Sequence, residues 1–399
     1  MFSVIRNLGL PAVLVTFLPV IACSPTPISE ENTSSSAQEL RAVVGPHSVS
    51  YEYARLPLDS PIPAGVAGDE KVVFVGSPLD GRVRVLARFG GDQVGELPAP
   101  PVPFTLPLII HTIGPGRVAI LDCGGFPDPG ITDTSPKIYE YEYSQRRGQF
   151  NANLARTVTF PNQRIGFAEE FVYLGSGQYL VPDAVYGSIW RVASDGSVHA
   201  GIVPKTFDRA DAIPQMVYCP TMPQITVGGL PFLFTGSTIP GVAGIAVRKN
   251  TVYFYSSCAA GLYKFPYSSL FDSRQPWQRA ADIKLISSKP ANVQVEELLE
   301  IQFNPYDHDD KHLYAADALQ LRIIRIDTDT GKREVVADDP RLFNFPAALG
   351  FLPPVVGKEP SVLVVLSNQQ HRTTLLNSAI PEEMTQPPYL LTKVLLLPH

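Results

Sequence analysis

Polar side chains recur along the chain directly after short apolar runs that are rich in β-branched and aromatic residues. They are Asp122, Asp183, Ser256, Ser257, Asp317 and Asn368. Carboxyl, amide and hydroxyl groups that converge from separate segments can hold a polar ligand and act on it as acids, bases or hydrogen-bond donors. The same side chains can cap a tight corner, because they accept hydrogen bonds from nearby backbone N–H groups. We expect several of them to converge on one ligand-binding lumen.

Two acidic pairs and several rings extend this candidate site. Glu169-Glu170 and Glu296-Glu297 each precede an apolar run, and side chains alternate along a strand, so one member of each pair faces the lumen. We assign Glu170 and Glu297 to the lumen, although a solvated strand end shows the same pattern. The candidate catalytic residues are Asp183, Tyr186, Asp317 and Asn368, and the candidate ligand-binding residues are His111, Asp122, Glu170, Tyr218, Ser257, Glu297 and Phe345. The rings among them line an apolar pocket or pack between neighbouring sheets.

Several other chemistries find no support in the sequence. No GxSxG elbow, HExxH motif or P-loop occurs, so the sequence does not predict a serine hydrolase, a zinc protease or a nucleotidase. The segment 327–331 begins like a calcium loop, but Lys332 stands where that loop needs glycine for its sharp turn. The formal net charge is -6 and no basic patch or basic helix occurs, which argues against a nucleic-acid partner.

The N-terminal segment is typical of a secreted protein. Residues 1–22 are predicted to be a signal peptide, because Arg6 precedes an apolar segment, 8–21, that is too short to span a bilayer comfortably. Residues 23–45 form a polar, serine-rich leader that is predicted to be disordered and contains the glycosylation sequon at Asn32. If the source is bacterial, Cys23 follows a lipobox-like sequence and would be lipidated. No membrane-spanning segment is predicted.

The cysteines fit an oxidising compartment. The chain has 4 cysteines, at positions 23, 123, 219 and 258, which allow three pairings. Cys219–Cys258 is the preferred disulfide, because both residues lie at strand-to-loop corners of neighbouring repeats.

The elements that must position these residues are short strands in a repeating unit. In the stretch 171–198, strands at 171–173, 178–181 and 188–192 are separated by a turn and a polar corner, and Asp195-Gly196 marks an outer hairpin. Similar units begin near residues 72, 117, 244, 298 and 347, and the last is predicted to include strands at 373–376 and 390–397. Units of roughly 45 to 75 residues are typical of propeller blades with loop insertions. We predict an all-β, six-bladed β-propeller over residues 46–399, with four-stranded antiparallel blades around a central channel, closed by a strand near Tyr51.

Two phrases carry a resemblance to a known family. They are NPYDHDDKHLYAADALQLRIIRID at 304–327 and LVPDAVYGSIWRVASDGSV at 180–198. Both resemble the blades of SMP-30/gluconolactonase-like six-bladed propellers. The stretches at 240–265 and 361–370 are also similar to secreted fungal members, including hetero-Diels–Alderases of tropolone–sesquiterpenoid biosynthesis, and more distantly to the yellow/royal-jelly proteins.

The resemblance implies alternative functions. Lactonase-type members hold a divalent cation in the channel with a Glu, two Asn and an Asp. This chain has residues 241–244, GVAG, where an Asn is expected, Glu296-Glu297 in place of Asp-Gly, and no Glu-Gly-Pro phrase in its first blade. We therefore predict no metal and no cofactor, and favour a cycloaddition of a quinone methide with an alkene, acting on a small apolar or polyketide–terpenoid ligand. The alternatives are a metal-dependent lactonase and a non-catalytic ligand-binding propeller.

Overall fold

The computed structural model describes residues 42–45, 47–56, 62–125, 135–161, 163–236, 238–307, 311–355 and 361–397. The predicted signal peptide, Cys23 and Asn32 lie outside these residues. Two N-terminal strands come first in the chain, β1 (Val43–Val44) and β2 (Ser48–Arg55). The last residues of the predicted leader are therefore ordered as β1, because Val43 pairs with Ser50 of β2.

The first three blades are four-stranded antiparallel sheets whose strands follow one another outward from the channel. Blade I contains β3 (Ala64–Gly68), β4 (Val72–Ser77), β5 (Arg82–Ala87) and β6 (Gln93–Glu96). Blade II contains β7 (Pro107–Gly114), β8 (Arg117–Asp122), β9 (Lys137–Arg146) and β10 (Gln149–Thr159). Blade III contains β11 (Val172–Gly175), β12 (Gln178–Asp183), β13 (Ser188–Val192) and β14 (Val198–Ile202). The turn between β11 and β12 has positive φ at Ser176 (51°) and Gly177 (74°), as a tight hairpin turn requires.

Residues 203–241 form an insertion between blades III and IV. It contains a small hairpin of β15 (Ile225–Val227) and β16 (Leu230–Phe232) and a 3₁₀-helix, Arg209–Asp211. The other 3₁₀-helices are Tyr267–Leu270, Pro276–Asp282, Ala318–Gln320 and Gln370–Arg372. No helix in the described part of the chain is long and apolar enough to span a membrane.

The last three blades repeat the pattern, and the sixth closes the ring. Blade IV contains β17 (Val242–Arg248), β18 (Thr251–Ser256), β19 (Gly261–Pro266) and β20 (Lys284–Ser288). Blade V contains β21 (Leu298–Phe303), β22 (His312–Asp317), β23 (Arg322–Asp327) and β24 (Arg333–Ala337). Blade VI contains β25 (Pro346–Leu352), β26 (Val362–Ser367) and β27 (Leu390–Leu396), followed by β2 and β1. The predicted six-bladed β-propeller is confirmed, including closure by the strand that contains Tyr51.

The second strand of each blade is nearly continuously apolar because both of its faces are covered by neighbouring blades. Every residue of β4 and β26 is buried, and clusters of aliphatic and aromatic side chains fill the space between adjacent sheets. These layers hold the innermost strands β3, β7, β11, β17, β21 and β25 around the channel.

The predicted strand at 373–376 is wrong. These residues form a turn after the 3₁₀-helix, and the Glu383 carboxylate accepts hydrogen bonds from the Thr373 hydroxyl and the Thr374 backbone N–H, each at 3.0 Å. The place beside β26 is taken by β27, where Ser367 pairs with Leu390 and Val362 pairs with Leu395. Because β27 then pairs with β2, a strand at 373–376 would have no partner in the blade.

Closure of the ring depends on burial of β27. Leu391 is fully buried between blades VI and I, whereas Leu397 just beyond the strand is 39% exposed. We expect Leu391→Ala to lower the free energy of unfolding by about 2–4 kcal/mol, because it leaves a cavity in the closing blade. The matched control Leu397→Ala should change it by less than about 0.5 kcal/mol. Urea unfolding followed by tryptophan fluorescence measures both; equal effects would contradict this account of the closure.

Candidate functional site

A cavity of about 980 Å³ opens into the central channel at the end where hairpins join the innermost strands to the second strands. We call this end the hairpin mouth, and the end where the second strands turn into the third strands the corner end. Each blade contributes to the cavity wall through its innermost strand, for example with Gly68, His111, Tyr173, Val247, Phe303 and Phe351. The cavity is therefore a product of ring closure rather than of one loop.

His111 lies on the cavity wall, and the buried Glu170 contacts it from behind the wall. His111 belongs to β7 of blade II, and Glu170 lies two residues before the innermost strand of blade III. His111 Nε2 and Glu170 Oε1 are 2.8 Å apart, and Glu170 Oε1 also accepts the backbone N–H of Phe171 at 2.8 Å. The Phe171 ring meets the imidazole edge-on, with ring centroids 4.7 Å apart. The carboxyl group of Glu170 therefore fixes the orientation of the imidazole through Nε2.

Two further glutamates, Glu169 and Glu300, lie within electrostatic range of Glu170. The Glu300 side chain comes from β21, and its Oε2 accepts the backbone N–H of Leu349 at 2.7 Å. Burial, with a smaller contribution from the charge of Glu170, raises the pKa of Glu300 well above its ordinary value. Burial and then the charges of Glu297 and Glu170 raise the pKa of Glu169 in the same way. Burial therefore favours the neutral form of both carboxyl groups, in which an O–H can donate a hydrogen bond.

The corner end of the channel is covered by the insertion 203–241 and by residues 369–389. Phe232 of the insertion packs in one apolar cluster with Leu319 and Phe345 from the corner ends of blades V and VI. The backbone N–H of Gly241 donates to Ala184 O at 2.7 Å. The sequence places the ligand mouth at the corners, but the structure buries the corners and opens the cavity at the hairpin mouth.

The disulfide Cys219–Cys258 fixes this cover to blade IV and is the pair preferred from the sequence. Cys123 is a buried free thiol that donates to Ala168 O at 2.8 Å. Burial raises its pKa well above the ordinary value, so the thiol stays protonated.

Asp122 and Asp183 cap their corners. Asp122 Oδ1 accepts the backbone N–H of Leu106 at 2.7 Å, and Asp183 Oδ1 accepts those of Phe167 at 3.1 Å and Val185 at 3.0 Å. Both side chains are almost fully buried and neither lies on the cavity wall. Their geometry is that of the corner-capping alternative, although Asp183 Oδ2 has no partner among the described residues.

Asp317 and Asn368 also lie at the corner end, where their side chains are engaged in hydrogen bonds. Asp317 Oδ2 accepts from Arg322 Nε at 2.8 Å, and Asn368 Oδ1 accepts the backbone N–H of Gln370 at 3.1 Å. Burial, opposed by Arg322, raises the pKa of Asp317 to about 7. These two candidates do not reach the wall of the 980 Å³ cavity.

The side chains of Glu296 and Glu297 point in opposite directions, as strand alternation predicts. Glu296 points outward, where both of its carboxylate oxygens lie within 2.6 Å of Arg333 and one accepts from the Tyr255 hydroxyl at 2.7 Å. Glu297 points inward, within electrostatic range of Glu169 and Asp317, and its Oε2 has no partner among the described residues. Ser257 is likewise buried, with its hydroxyl unpartnered in the described part of the chain.

The remaining ring candidates pack away from His111. Tyr186 contacts Phe207 edge-on with centroids 5.4 Å apart, and Tyr218 lies under the Arg209 guanidinium at 5.1 Å. Phe345 is buried and stacks on His371 with ring centroids 5.7 Å apart. The structure therefore brings His111 and Glu170 together at the cavity, places Glu297 behind them, and separates the other candidates from them.

Sequence reasoning missed Glu300, and it placed Glu169 away from the lumen, whereas the structure buries Glu169 within range of the charges of Glu297 and Glu170. Glu300 stands inside the apolar run Leu298–Phe303, and an ionisable residue in an innermost strand was the available signal. Its backbone has a positive φ of 45° next to a register shift between Leu299 and Gln302, which the sequence pattern does not show.

The lactonase-type relatives suggested by the resemblance hold a cation in this channel, and the side chains here do not fit one. Among the residues that the structure describes, no three His, Cys, Asp or Glu side chains come together as a metal site requires. Glu170 is engaged by His111, and Glu300 accepts the Leu349 backbone N–H of blade VI and has a pKa raised by burial, which disfavours the charged form that a cation requires. We derive no step through a metal.

Comparison of the sequence with protein-family models and with curated proteins finds no match. Solved structures are similar in fold. The allergen Mala s 1 of Malassezia sympodialis has 13% identity and a TM-score of 0.52, over 88% of this chain and 96% of that chain. The gluconolactonase XC5397 of Xanthomonas campestris has 12% identity and a TM-score of 0.48, over 88% and 90% of the two chains. Virginiamycin B lyase of Staphylococcus aureus has 14% identity and a TM-score of 0.47, over 86% and 98%. At these identities the likeness to Mala s 1 shows the fold alone.

The buried carboxyl groups make stability depend on pH. Burial and then the charge of Asp317 raise the pKa of Glu297 to about 8, from an ordinary value of 4.5. In the unfolded chain this group ionises above about pH 4.5, so the stability that it contributes is complete below that pH and is lost as the pH rises towards 8. We expect Tm to fall between pH 5 and pH 8, and Glu297→Gln to reduce that fall, as calorimetric scans at the two pH values would show.

The adjacent residue supplies a matched control. Glu296→Gln breaks the buried ion pair with Arg333 and should lower Tm at both pH values without reducing the fall between them. If Glu297→Gln and the unmodified protein lose the same number of degrees, Glu297 is not protonated in the folded state.

Proposed function

We propose that the protein binds a small, largely apolar organic molecule in the central channel and acts on it there. The favoured reaction is a hetero-Diels–Alder cycloaddition of a quinone methide with an alkene, carried out by a secreted protein without a metal. The observation that supports the proposal most is His111 on the wall of a 980 Å³ cavity, oriented by the buried Glu170 at 2.8 Å.

The cavity suits two apolar reactants held together. Its volume of about 980 Å³ lies at the upper end of small-molecule sites, and its wall includes Ile245, Phe171, Phe303 and Phe351. The rim carries charges of both signs, among them Asp69 and Lys71, so it does not favour a strongly charged ligand. The entropy lost when two reactants come together is a large part of the barrier for a cycloaddition. A protein that holds both reactants in a reactive pose removes much of that cost from the reaction step.

Hydrogen-bond donors would lower the barrier of the cycloaddition further. In the cycloaddition, one C–C bond and one C–O bond form from π electrons, and no atom leaves and no redox partner is needed. Negative charge grows on the quinone-methide oxygen, and a donor aimed at that oxygen lowers the barrier. Neutral carboxyl groups in an apolar site are strong donors of this kind, and burial raises the pKa of Glu300 and of Glu169, which lie within range of the Glu170 charge behind His111, and so favours their neutral forms. An apolar wall also excludes water, which otherwise adds to quinone methides.

The His111–Glu170 geometry also favours a second candidate, proton transfer to or from a bound carbonyl compound. A carboxylate that orients an imidazole is the arrangement of a general base, and the Nε2–Oε1 distance of 2.8 Å meets that requirement. A substrate deuterated at the transferred position separates the candidates, because only proton transfer gives a primary isotope effect.

The test uses a quinone methide generated in water from a 2-(hydroxymethyl)phenol, together with a cyclic enol ether. We expect the protein to give the cycloadduct with an enantiomeric excess, measured by chiral chromatography. His111→Ala should reduce the rate of the enantioselective product by at least about ten-fold, since it removes a charge-oriented hydrogen-bonding group. His47→Ala, a half-exposed imidazole near Glu334 on the outer side of blade VI, is the matched control and should leave the rate unchanged.

Three results would overturn the proposal. A racemic adduct formed at the uncatalysed rate would exclude the cycloaddition with this class of reactants. Complete loss of activity on dialysis against EDTA, restored by a divalent cation, would favour the metal-dependent lactonase. Binding of the reactants with no change in rate would favour a ligand-binding propeller.

A further inference from the structure

We propose that a groove between blades III and IV, which we call the Arg191 groove, binds a small organic carboxylate through the Arg191 guanidinium. The groove has a volume of about 170 Å³, and its wall includes Gln178, Leu180, Arg191, His199, Tyr267 and Phe271. None of these residues lines the 980 Å³ cavity. The inference is therefore independent of the function proposed for the channel.

Strand register places the polar groups of the groove on one face of blade III. Arg191 on β13 lies directly opposite Leu180 of β12 and His199 of β14. Directly opposed residues in an antiparallel sheet share a face, and here that face packs against blade IV. Tyr267 and Phe271, from the 3₁₀-helix after β19 and the residue that follows it, complete the other side.

The charge of Arg191 is uncompensated within the described residues. Its guanidinium lies over the Phe271 ring at 4.2 Å, and its Nε is buried without a hydrogen-bond partner. Burial and then the neighbouring positive charge of Arg279 lower the pKa of Arg191, and no described carboxylate opposes them. Leaving a half-buried cation without an anion costs stability, and a bound anion would remove that cost.

The neighbouring arginines have acidic partners, in contrast to Arg191. Arg279 interacts with Asp272 at 3.3 Å and donates to Gly201 O at 2.7 Å, and Arg274 Nε donates to Asp272 at 2.8 Å. Asp282 is also engaged by Arg274. The nearby acids are thus committed to other arginines.

Asp195, the acidic residue of the outer hairpin of blade III, is also engaged in hydrogen bonds. Asp195 Oδ1 accepts from the Ser197 backbone at 2.9 Å and from the Ser197 hydroxyl at 2.6 Å. The same hydroxyl lies 2.9 Å from His199 Nε2 and so positions the imidazole. Arg191 is left as the cation available to an incoming anion.

The size and chemistry of the Arg191 groove select the ligand class. A volume of 170 Å³ is below the range of drug-sized sites and suits a molecule of about the size of benzoate. A guanidinium can bind a carboxylate with two parallel hydrogen bonds, and the Tyr267 hydroxyl and the Gln178 amide add uncharged donors. Leu180 and Phe271 provide apolar contact for the body of the ligand. We therefore assign a monocarboxylate with a small apolar body, rather than a bare phosphate.

The test is binding of benzoate to the full chain, measured by calorimetric titration and by the rise in Tm with benzoate concentration. We expect saturable binding that benzamide, the uncharged analogue, does not reproduce. Arg191→Met should weaken binding by at least about ten-fold, because it removes a charge-assisted hydrogen bond. Arg191→Lys should retain part of the affinity, since it keeps the charge but loses the planar fork. Arg341→Met changes an exposed arginine paired with Asp339 and is the matched control with unchanged binding.

The variants also test whether Arg191 is merely structural. With no benzoate present, Arg191→Met should unfold at the same urea concentration as the unmodified protein or at a higher one, because an uncompensated charge is removed. Absence of benzoate binding, or equal binding in Arg191→Met, would overturn the proposal. If Arg191→Met does not fold, Tyr267→Phe decides, and unchanged benzoate affinity in that variant counts against the site. Tighter binding of inorganic phosphate than of benzoate would overturn the assignment of ligand class.

Discussion

Pairing of β2 with β27 is the interaction on which the rest of the molecule depends. It runs from Ser48 opposite Leu396 to Arg55 opposite Leu390 and joins the two ends of the described chain in one sheet. A propeller blade buries its faces only against its neighbours, so an open ring would expose the face of blade VI and the face of blade I together. The innermost strands converge only when the ring is closed, and the central cavity exists only when they converge. Both the fold and the candidate site therefore depend on closure of the ring by β2 and β27.

Convergence also explains the unusual state of the channel carboxyl groups. Glu169 and Glu170 come from one segment and Glu297 and Glu300 from another far along the chain, and the folded ring buries them together. Loss of hydration on burial, and then the charges of neighbouring carboxylates, raise the pKa values of Glu169, Glu297 and Glu300. These shifts favour neutral carboxyl groups, which can donate hydrogen bonds, over a cluster of anions. The oriented His111–Glu170 pair stands beside these donors, which is the basis for preferring hydrogen-bond or proton-transfer chemistry.

The fold could be predicted from the sequence because blade strands are local. The runs 322–326 and 362–366, for example, are recognised as strands by their composition and by the turns on either side. Repetition of such runs along the chain predicts the propeller architecture. The exception was 373–376, where an apolar run is held in a turn by Glu383 while β27, later in the chain, takes its place. The candidate site was predictable only in part. His111, Glu170 and Glu297 could be assigned from strand position, but which end of the channel is open depends on how residues 203–241 pack across the corners. That packing is set by contacts such as Gly241 with Ala184, which local sequence does not encode.

The distribution of uncompensated polar groups connects the two proposed sites. Several buried charged side chains in the described residues are paired, as Glu296 is with Arg333 and Asp317 is with Arg322. Other buried polar atoms have no partner among the described residues, and they include Glu170 Oε2 and Glu300 Oε1 near the channel and Arg191 Nε in the Arg191 groove. A buried donor or acceptor without a partner costs roughly 1–3 kcal/mol, and an apolar residue of similar size would remove that cost. Arg191 lines its groove directly, whereas the channel carboxyl groups lie behind His111, which lines the channel cavity. A ligand with a hydrogen-bonding carbonyl oxygen suits the channel and a carboxylate suits Arg191, so the two sites favour ligands of different charge.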